Sequence, residues 1–302
     1  MGLNWKDKIP NEDFINAEDI NQLAHAIISL EENAELSGGG SGIFKRIGFT
    51  DDCDYVATAT NGKTAFENAI ADASDGDTIL VMGGEYRGTA TVTITKDLTF
   101  IGVGRPIIKF NIAIPGGGEF SYENWSWTYI YEPKHGKFYG FIFDGTFTVG
   151  GEANPDNETY HGYVTAVDCM FNGESHLYGG DLVKCVFNGR LVSGHYFGAG
   201  CDYAECVFAN NVDMQSGMDK LVRCEFYPTN TDIGYLSSGW DDNNPWLSGC
   251  KIFAPGKNLT VYNAHGDRLK LHDTIIFAND ISEGYGNGIY GGFLVIPEEK
   301  TV

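Results

Sequence analysis

Asp168-Cys169-Met170-Phe171-Asn172-Gly173 returns as Lys184-Cys185-Val186-Phe187-Asn188-Gly189. It returns again as Glu205-Cys206-Val207-Phe208-Ala209-Asn210, then as Arg223-Cys224-Glu225-Phe226-Tyr227. Looser copies are Gly249-Cys250-Lys251-Ile252-Phe253 and Asp273-Thr274-Ile275-Ile276-Phe277, with Phe141-Ile142-Phe143-Asp144-Gly145 as an earlier member. From Cys169 onward the successive spacings are 16, 21, 18, 26 and 24. A constant core at uneven spacing suits a solenoid, whose strands keep register while the turns between them vary. In a strand, residues i and i+2 face the same side, so each Cys and the Phe two places later point together. Successive coils lie about 4.8 Å apart, which predicts one inward column of thiols and another of benzyl groups. Five of the seven cysteines are thereby read as small buried hydrophobes. A metal or redox cluster would need thiolates converging on a point, whereas a column spreads them along a line. Asn172, Asn188 and Asn210 follow the strands, where a left-handed turn residue is expected. Their side chains either stack as an amide ladder or are plain turn asparagines.

Upstream, Thr64 to Ala73 (TAFENAIADA) carries a helical stripe of Ala65, Phe66, Ala69, Ile70 and Ala73, ended by Asp75-Gly76-Asp77. Thr78-Ile79-Leu80-Val81-Met82 then reads as a short apolar strand closed by Gly83-Gly84. Thr91-Val92-Thr93-Ile94, Leu98-Thr99-Phe100-Ile101 and Pro106-Ile107-Ile108-Lys109-Phe110 follow as further strands. Over about residues 50–110 this order resembles the entry rungs of the pectin-lyase-like superfamily, especially pectinesterase-type sequences. The resemblance implies an all-β, right-handed, single-stranded parallel β-helix whose helix caps the open end of the solenoid, so that its first rung is not a bare edge.

Residues 1–43 are of another kind. Asn16 reads as an N-cap with Asp19 three residues on, and Ile20, Leu23, Ile27, Leu30 and Ala34 follow as a heptad seam. An isolated helix this short is marginal in water and needs a partner, either further copies of itself or the body of the protein. The tract Ser37-Gly38-Gly39-Gly40-Ser41-Gly42 is a flexible linker. The expected division is a helix in residues 1–36, a tether in 37–43 and a β-helix over 44–302. The stretch Asn4-Trp5-Lys6-Asp7, Pro10 and Ile15-Asn16-Ala17-Glu18-Asp19-Ile20-Asn21-Gln22-Leu23 resembles the N-terminal segment of tail and baseplate proteins of phages of Gram-positive bacteria. That resemblance implies attachment to phage tail or baseplate proteins through residues 1–36, a homotrimer, and a place in the virion.

The composition narrows the partners. Lys and Arg number 20 against 41 Asp and Glu, a net charge of −21, which repels nucleic acid. No apolar stretch reaches the roughly 18 residues of a membrane span, so no membrane insertion is expected. Met1 to Lys8 lacks an apolar core, so no signal peptide is expected either. The seven histidines include no HxH or HExxH pair, the cysteines no CxxC, and no phosphate-binding glycine loop appears; no metal or cofactor is expected.

Three stretches could carry chemistry. Trp125, Trp127, Tyr129 and Tyr131 alternate, so they share one strand face, either as a sugar-stacking platform or as cover for the solenoid or a neighbouring subunit. Trp240-Asp241-Asp242-Asn243-Asn244-Pro245-Trp246 sets two carboxylates between two indoles. That is either an acid/base pair with stacking groups for glycoside cleavage or a polar turn. With His265 and Arg268, the pair Asp241 and Asp242 is similar to part of the polygalacturonase pattern. The chain departs from it at Ala264, in the immediate Arg268-Leu269-Lys270, and in lacking an Asn-Thr-Asp. The pectinesterase catalytic run is missing too. The sequence thus supports a tail-fibre or tailspike-like protein binding cell-surface polysaccharide. The alternatives are a polysaccharide lyase or glycoside hydrolase using Asp241, Asp242, His265 and Arg268, and a purely structural spike segment.

Overall fold

The structure is a computed structural model. It describes residues 44–116, 118–123, 126–131, 134–150, 162–193, 200–210, 212–214, 219–228, 232–233, 246–255, 258–261, 269–278, 280–283 and 289–296. The expected helix and tether of residues 1–43 lie outside the described residues.

The described chain is mostly strand, with one helix, and its long sheets are parallel, as in a parallel β-helix. Each coil contributes to three faces. A long-strand face runs through Thr78–Met82, Leu98–Val103, His135–Tyr139, Tyr163–Val167, Gly180–Val183, Cys201–Ala204, Lys220–Val222 and Trp246–Ser248. A short-strand face runs through Glu85–Arg87, Ile107–Lys109, Ile142–Phe143, Met170–Phe171, Val186–Phe187, Val207–Phe208, Glu225–Phe226 and Lys251–Phe253. Leu269–Phe277 and Ile289–Ile296 continue both. A third sheet stacks Val92–Thr93, Ile112–Ile114, Phe147–Val149, Ser175–Leu177, Leu191–Ser193 and Val212–Met214.

The repeat seen in the sequence is the corner between the long and short faces. Cys169, Cys185, Cys206, Cys224 and Cys250 are all buried, and each lies at the same place in its coil. The benzyl column stacks as Phe143–Phe171, Phe171–Phe187, Phe187–Phe208 and Phe208–Phe226, with centroids 5.2, 4.7, 5.2 and 4.8 Å apart. Burying one such ring stabilises the fold by about 2–3 kcal/mol, so this column is a main source of cohesion between coils.

Why cysteine occupies the first column follows from its hydrogen bonds. Cys185 Sγ donates to Ala166 O at 3.3 Å, Cys206 Sγ to Leu182 O at 3.4 Å, and Cys250 Sγ to Leu221 O at 3.3 Å. Each acceptor belongs to the inward row of the preceding coil. The position therefore wants a small side chain with a weak donor. Thr274 meets the same need in the next coil, donating from Oγ1 to Leu247 O at 3.4 Å. Burial pushes the Cys169 and Cys185 thiols well up, so both are neutral.

The left-handed residue expected at the asparagines lies elsewhere. It precedes the cysteine: Asp168, Lys184, Glu205, Arg223 and Asp273 have φ of 53, 53, 55, 54 and 48°, and Gly140 and Gly249 have 74 and 62°. Asn172, Asn188 and Asn210 are not among the positive-φ residues. A left-handed non-glycine residue costs roughly 1–2 kcal/mol. Two groups of contacts offset that cost. The N–H of each corner residue still joins the next coil, as in Asp168 N→Val183 O at 3.0 Å and Lys184 N→Ala204 O at 2.9 Å. The side chains also alternate in charge along the edge, from Asp168 through Lys184 and Glu205 to Arg223. Arg105 reaches past Gly140 to pair with Asp168, and Arg223 pairs with Glu205 at 2.8 Å.

The amide ladder exists at Asn172 and Asn188, whereas Asn210 donates from Nδ2 to the Asn188 backbone carbonyl at 3.3 Å. Asn172 Nδ2 donates to Asp144 Oδ1 at 2.7 Å, and Asn188 Nδ2 to Asn172 Oδ1 at 2.8 Å. Beneath it the glycines approach closely: a Cβ on Gly189 would lie 2.0 Å from Gly173 O. In the later coils the same position holds Tyr227, Phe253 and Phe277, whose rings stack at 4.9 and 4.8 Å with interplanar angles of 9 and 3°.

The helix, α1 (Gly62–Asp72), closes the first coil as expected. It buries Phe66, Ala69 and Ile70, and Phe66 meets Tyr86, Phe100 and Phe110 across the open end. Lys96 Nζ donates to the carbonyls of Ile70, Ala71 and Ala73 at 2.8, 2.7 and 2.6 Å. One ammonium thus satisfies the orphan carbonyls of the last turn and complements the helix dipole.

Candidate functional site

The long-strand face carries a row of chemically active side chains outside the core. Inward residues Phe138, Ala166, Leu182, Tyr203, Leu221 and Leu247 alternate with an outer row four places before Phe141 and the corner cysteines. That row reads Lys137, Thr165, Asp181, Asp202 and Lys220, one residue per coil, and continues in register through Trp246, Lys270 and Tyr290. Beside it stand His135 and Tyr163, whose rings meet edge to face at 5.0 Å.

These groups are interlinked. His135 Nε2 and Thr165 Oγ1 are 2.9 Å apart, and the His135 backbone N–H donates to Asp97 Oδ1 at 2.8 Å. Burial and the Lys137 ammonium hold the His135 imidazole below its ordinary range, so it is neutral at pH 7. Burial and the Asp181 carboxylate push the Tyr163 phenol up, which keeps it a hydrogen-bond donor. Lys220 Nζ lies 3.6 Å from Asp202 Oδ1. The row is thus a strip of donors and acceptors, with ammonium groups at Lys137 and Lys220 flanking the Thr165 hydroxyl and the Asp181 and Asp202 carboxylates, suited to a ligand rich in hydroxyl groups. Among the described residues no group of three or more His, Cys, Asp and Glu converges to hold a metal ion.

The candidate residues read from sequence fare unequally. Asp241, Asp242, His265, Arg268, Trp125 and Trp240 lie outside the described residues. Trp127, Tyr129 and Tyr131 belong to Ser126–Tyr131, which pairs antiparallel with Gly118–Glu123 in register Trp127↔Tyr122, Tyr129↔Phe120 and Tyr131↔Gly118. This hairpin is inserted between the third-sheet strand Ile112–Ile114 and the long-face strand His135–Tyr139. Trp246 opens a long-face strand and takes the register position after Lys220. His135, Tyr163, Asp181, Asp202 and Lys220 were not singled out from the sequence. The signal for the outer row was present: each member stands four places before the first inward residue of its repeat.

A buried charge lies inside the same coils. Asp219 is fully buried, and its Oδ1 accepts the Cys201 N–H at 2.7 Å. Its Oδ2 has no partner. Ser193, whose hydroxyl accepts the Tyr203 O–H at 2.7 Å, is near enough to favour the anion. Burial wins, and the Asp219 carboxyl is pushed up to about 7.

No family model, curated protein or solved structure matches the chain. The reading of function therefore rests on its own residues.

Proposed function

We propose that this chain is a tail-fibre or tailspike-like virion protein, a right-handed parallel β-helix that binds host cell-surface carbohydrate along its long-strand face. Residues 1–36 attach it to tail or baseplate proteins, and the protein is a homotrimer. The observation that carries the carbohydrate reading is the outer row from Lys137 to Lys220. It repeats hydrogen-bonding groups once per coil, as a polysaccharide repeats hydroxyls along its length. Trp127, Tyr129 and Tyr131 on the inserted hairpin, and Trp246 in the row, add rings of the kind that pack on sugar C–H faces. The net charge of −21 disfavours polyanionic glycans, so the favoured ligand is an uncharged one.

The test is capture of purified, uncharged cell-wall polysaccharide from Gram-positive hosts on a biosensor surface. The double variant Asp202→Asn/Lys220→Ala is expected to weaken capture about tenfold or more, with an unchanged melting temperature. Absence of capture by the wild type across the host panel would sink the reading and leave a structural spike segment. Release of reducing ends or unsaturated sugars during the assay would mark a depolymerase. Its loss in Asp242→Asn would then assign the chemistry to the Asp241, Asp242, His265 and Arg268 group.

A further inference from the structure

The amide and aromatic ladders occupy one edge of the molecule, and they do not meet. Asp144, Asn172, Asn188, Ala209, Tyr227, Phe253 and Phe277 take the same place in successive coils, three residues after Phe141, Cys169, Cys185, Cys206, Cys224, Cys250 and Thr274. The backbone fixes this alignment: Asn188 N→Phe171 O is 2.8 Å, Ala209 N→Phe187 O 2.8 Å and Tyr227 N→Phe208 O 2.7 Å. Between Asn188 and Tyr227, therefore, the ladder position itself carries only a methyl group, while the neighbouring Asn210 donates from Nδ2 to the Asn188 backbone carbonyl at 3.3 Å and lines the inner wall.

Each ladder ends at this notch with an unused binding capacity. Asp144 is an acceptor, so Asn172 must offer it N–H, and every amide above must point the same way. Asn188 accordingly spends its Nδ2 on Asn172, and among the described residues no side-chain donor reaches its Oδ1. The next donor in the series would stand at position 209, which is alanine. From the other side, Tyr227 stacks one ring face on Phe253 and is 41% exposed. Its second face looks toward Ala209. Two coil spacings separate Asn188 from Tyr227, about 10 Å along the axis. A saturated six-membered ring needs roughly 4 Å to the tyrosine face, leaving hydrogen-bonding distance on its far side. The rim is polar: Tyr227 Oη donates to Glu225 Oε2 at 3.0 Å, and Lys251 Nζ lies 3.1 Å from Glu225 Oε1.

We propose that the notch at Ala209 is a carbohydrate subsite that takes one pyranose ring. The apolar C–H face of the sugar lies on Tyr227, one hydroxyl donates to Asn188 Oδ1, and others reach the Glu225–Lys251 pair. A notch one coil high with a charged rim admits a single ring and excludes the flat apolar face of a protein partner. The inference rests on the carbohydrate reading above but assigns a different edge of the solenoid.

Saturation-transfer NMR on the full chain tests it, with methyl β-glucopyranoside, methyl β-galactopyranoside and methyl N-acetyl-β-glucosaminide as probes. At least one probe is expected to receive saturation on the ring protons of one face. Ala209→Asn fills the notch and supplies the missing donor to Asn188, so it folds at least as well as the wild type. Tyr227→Leu removes the stacking face while keeping an apolar contact to Phe253. Each variant is expected to reduce the transfer about tenfold. No transfer to any of the three probes in the wild type, or undiminished transfer in both variants, overturns the proposal. Polysaccharide capture that survives Ala209→Asn but not Asp202→Asn/Lys220→Ala would overturn the notch alone and leave the long-face reading standing.

Discussion

The edge that carries Asn172 and Asn188 and the edge that carries Tyr227, Phe253 and Phe277 are the same edge, built in two chemistries. In the earlier coils the polar turn residue is followed by Gly145, Gly173 and Gly189, and the backbones close in until no Cβ fits. In the later coils the aromatic residue is followed by Pro228, Ala254 and Ala278, which all carry side chains. Amides joined by hydrogen bonds along the axis tolerate a turn so tight that only glycine completes it. Stacked rings sit at the ordinary coil spacing, 4.9 and 4.8 Å, and the position after them accommodates a methyl, as at the buried Ala254 and Ala278. The difference teaches that a solenoid's repeat distance can be kept by directional bonds or by ring contact, and that the neighbouring residue must be chosen to suit.

The largest test falls where the two halves join. Asp219 belongs to the coil of Tyr227 and bonds to the coil of Ala209. Its folded-state pKa, raised from 3.8 to about 7, means that the native protein keeps a proton the unfolded chain releases. Stability from this group is therefore fully present below about pH 4 and is lost as pH rises through about 7, by up to roughly 4 kcal/mol. Asp219→Asn keeps the acceptor for Cys201 N–H and removes the titration. Urea denaturation should find the variant increasingly more stable than the wild type between pH 5 and pH 8. A constant difference over that range would show that the carboxyl is not held neutral.

Next in size, Gly189→Ala should cost about 2–3 kcal/mol, because its methyl would overlap Gly173 O. Ala254, at the equivalent place in the aromatic half, already carries that methyl and is buried. Equal tolerance of alanine at both places in thermal melts would erase the distinction between the halves. The smallest effect is expected from Phe253→Ala, about 1–2 kcal/mol, since the stack is only partly buried. Its near-ultraviolet circular dichroism should lose intensity that Asn172→Ala leaves intact.

Much of this architecture was legible because the Cys-x-Phe core repeats with little change. That core gave the inward columns, and the stripe of Phe66, Ala69 and Ile70 gave the capping helix. The left-handed corner was misplaced because the usual cue is Asn or Gly, and here four of the corner residues are Asp168, Lys184, Glu205 and Arg223. Charge alternation and backbone pairing between coils outweigh local preference there, and neither is visible within one repeat. Asp181 and Asp202 were hidden for a similar reason. Each is an ordinary surface acid in its own strand, and only stacking the repeats on one another sets them side by side with Lys220 and Trp246. The chemistry read into Asp241, Asp242, His265 and Arg268 came from short local runs, which carry no information about which coil they serve.

The corner of alternating charge also bears on how such a chain finds its threading. The repeats are alike enough that one coil could dock where its neighbour belongs. A strand that skipped one place would set Lys184 against Arg223, or Asp168 against Glu205. The interior, lined with interchangeable thiols and phenyl rings, would scarcely register the slip. The edge would reject it, acting as a barcode that lets a repetitive polypeptide count its own turns.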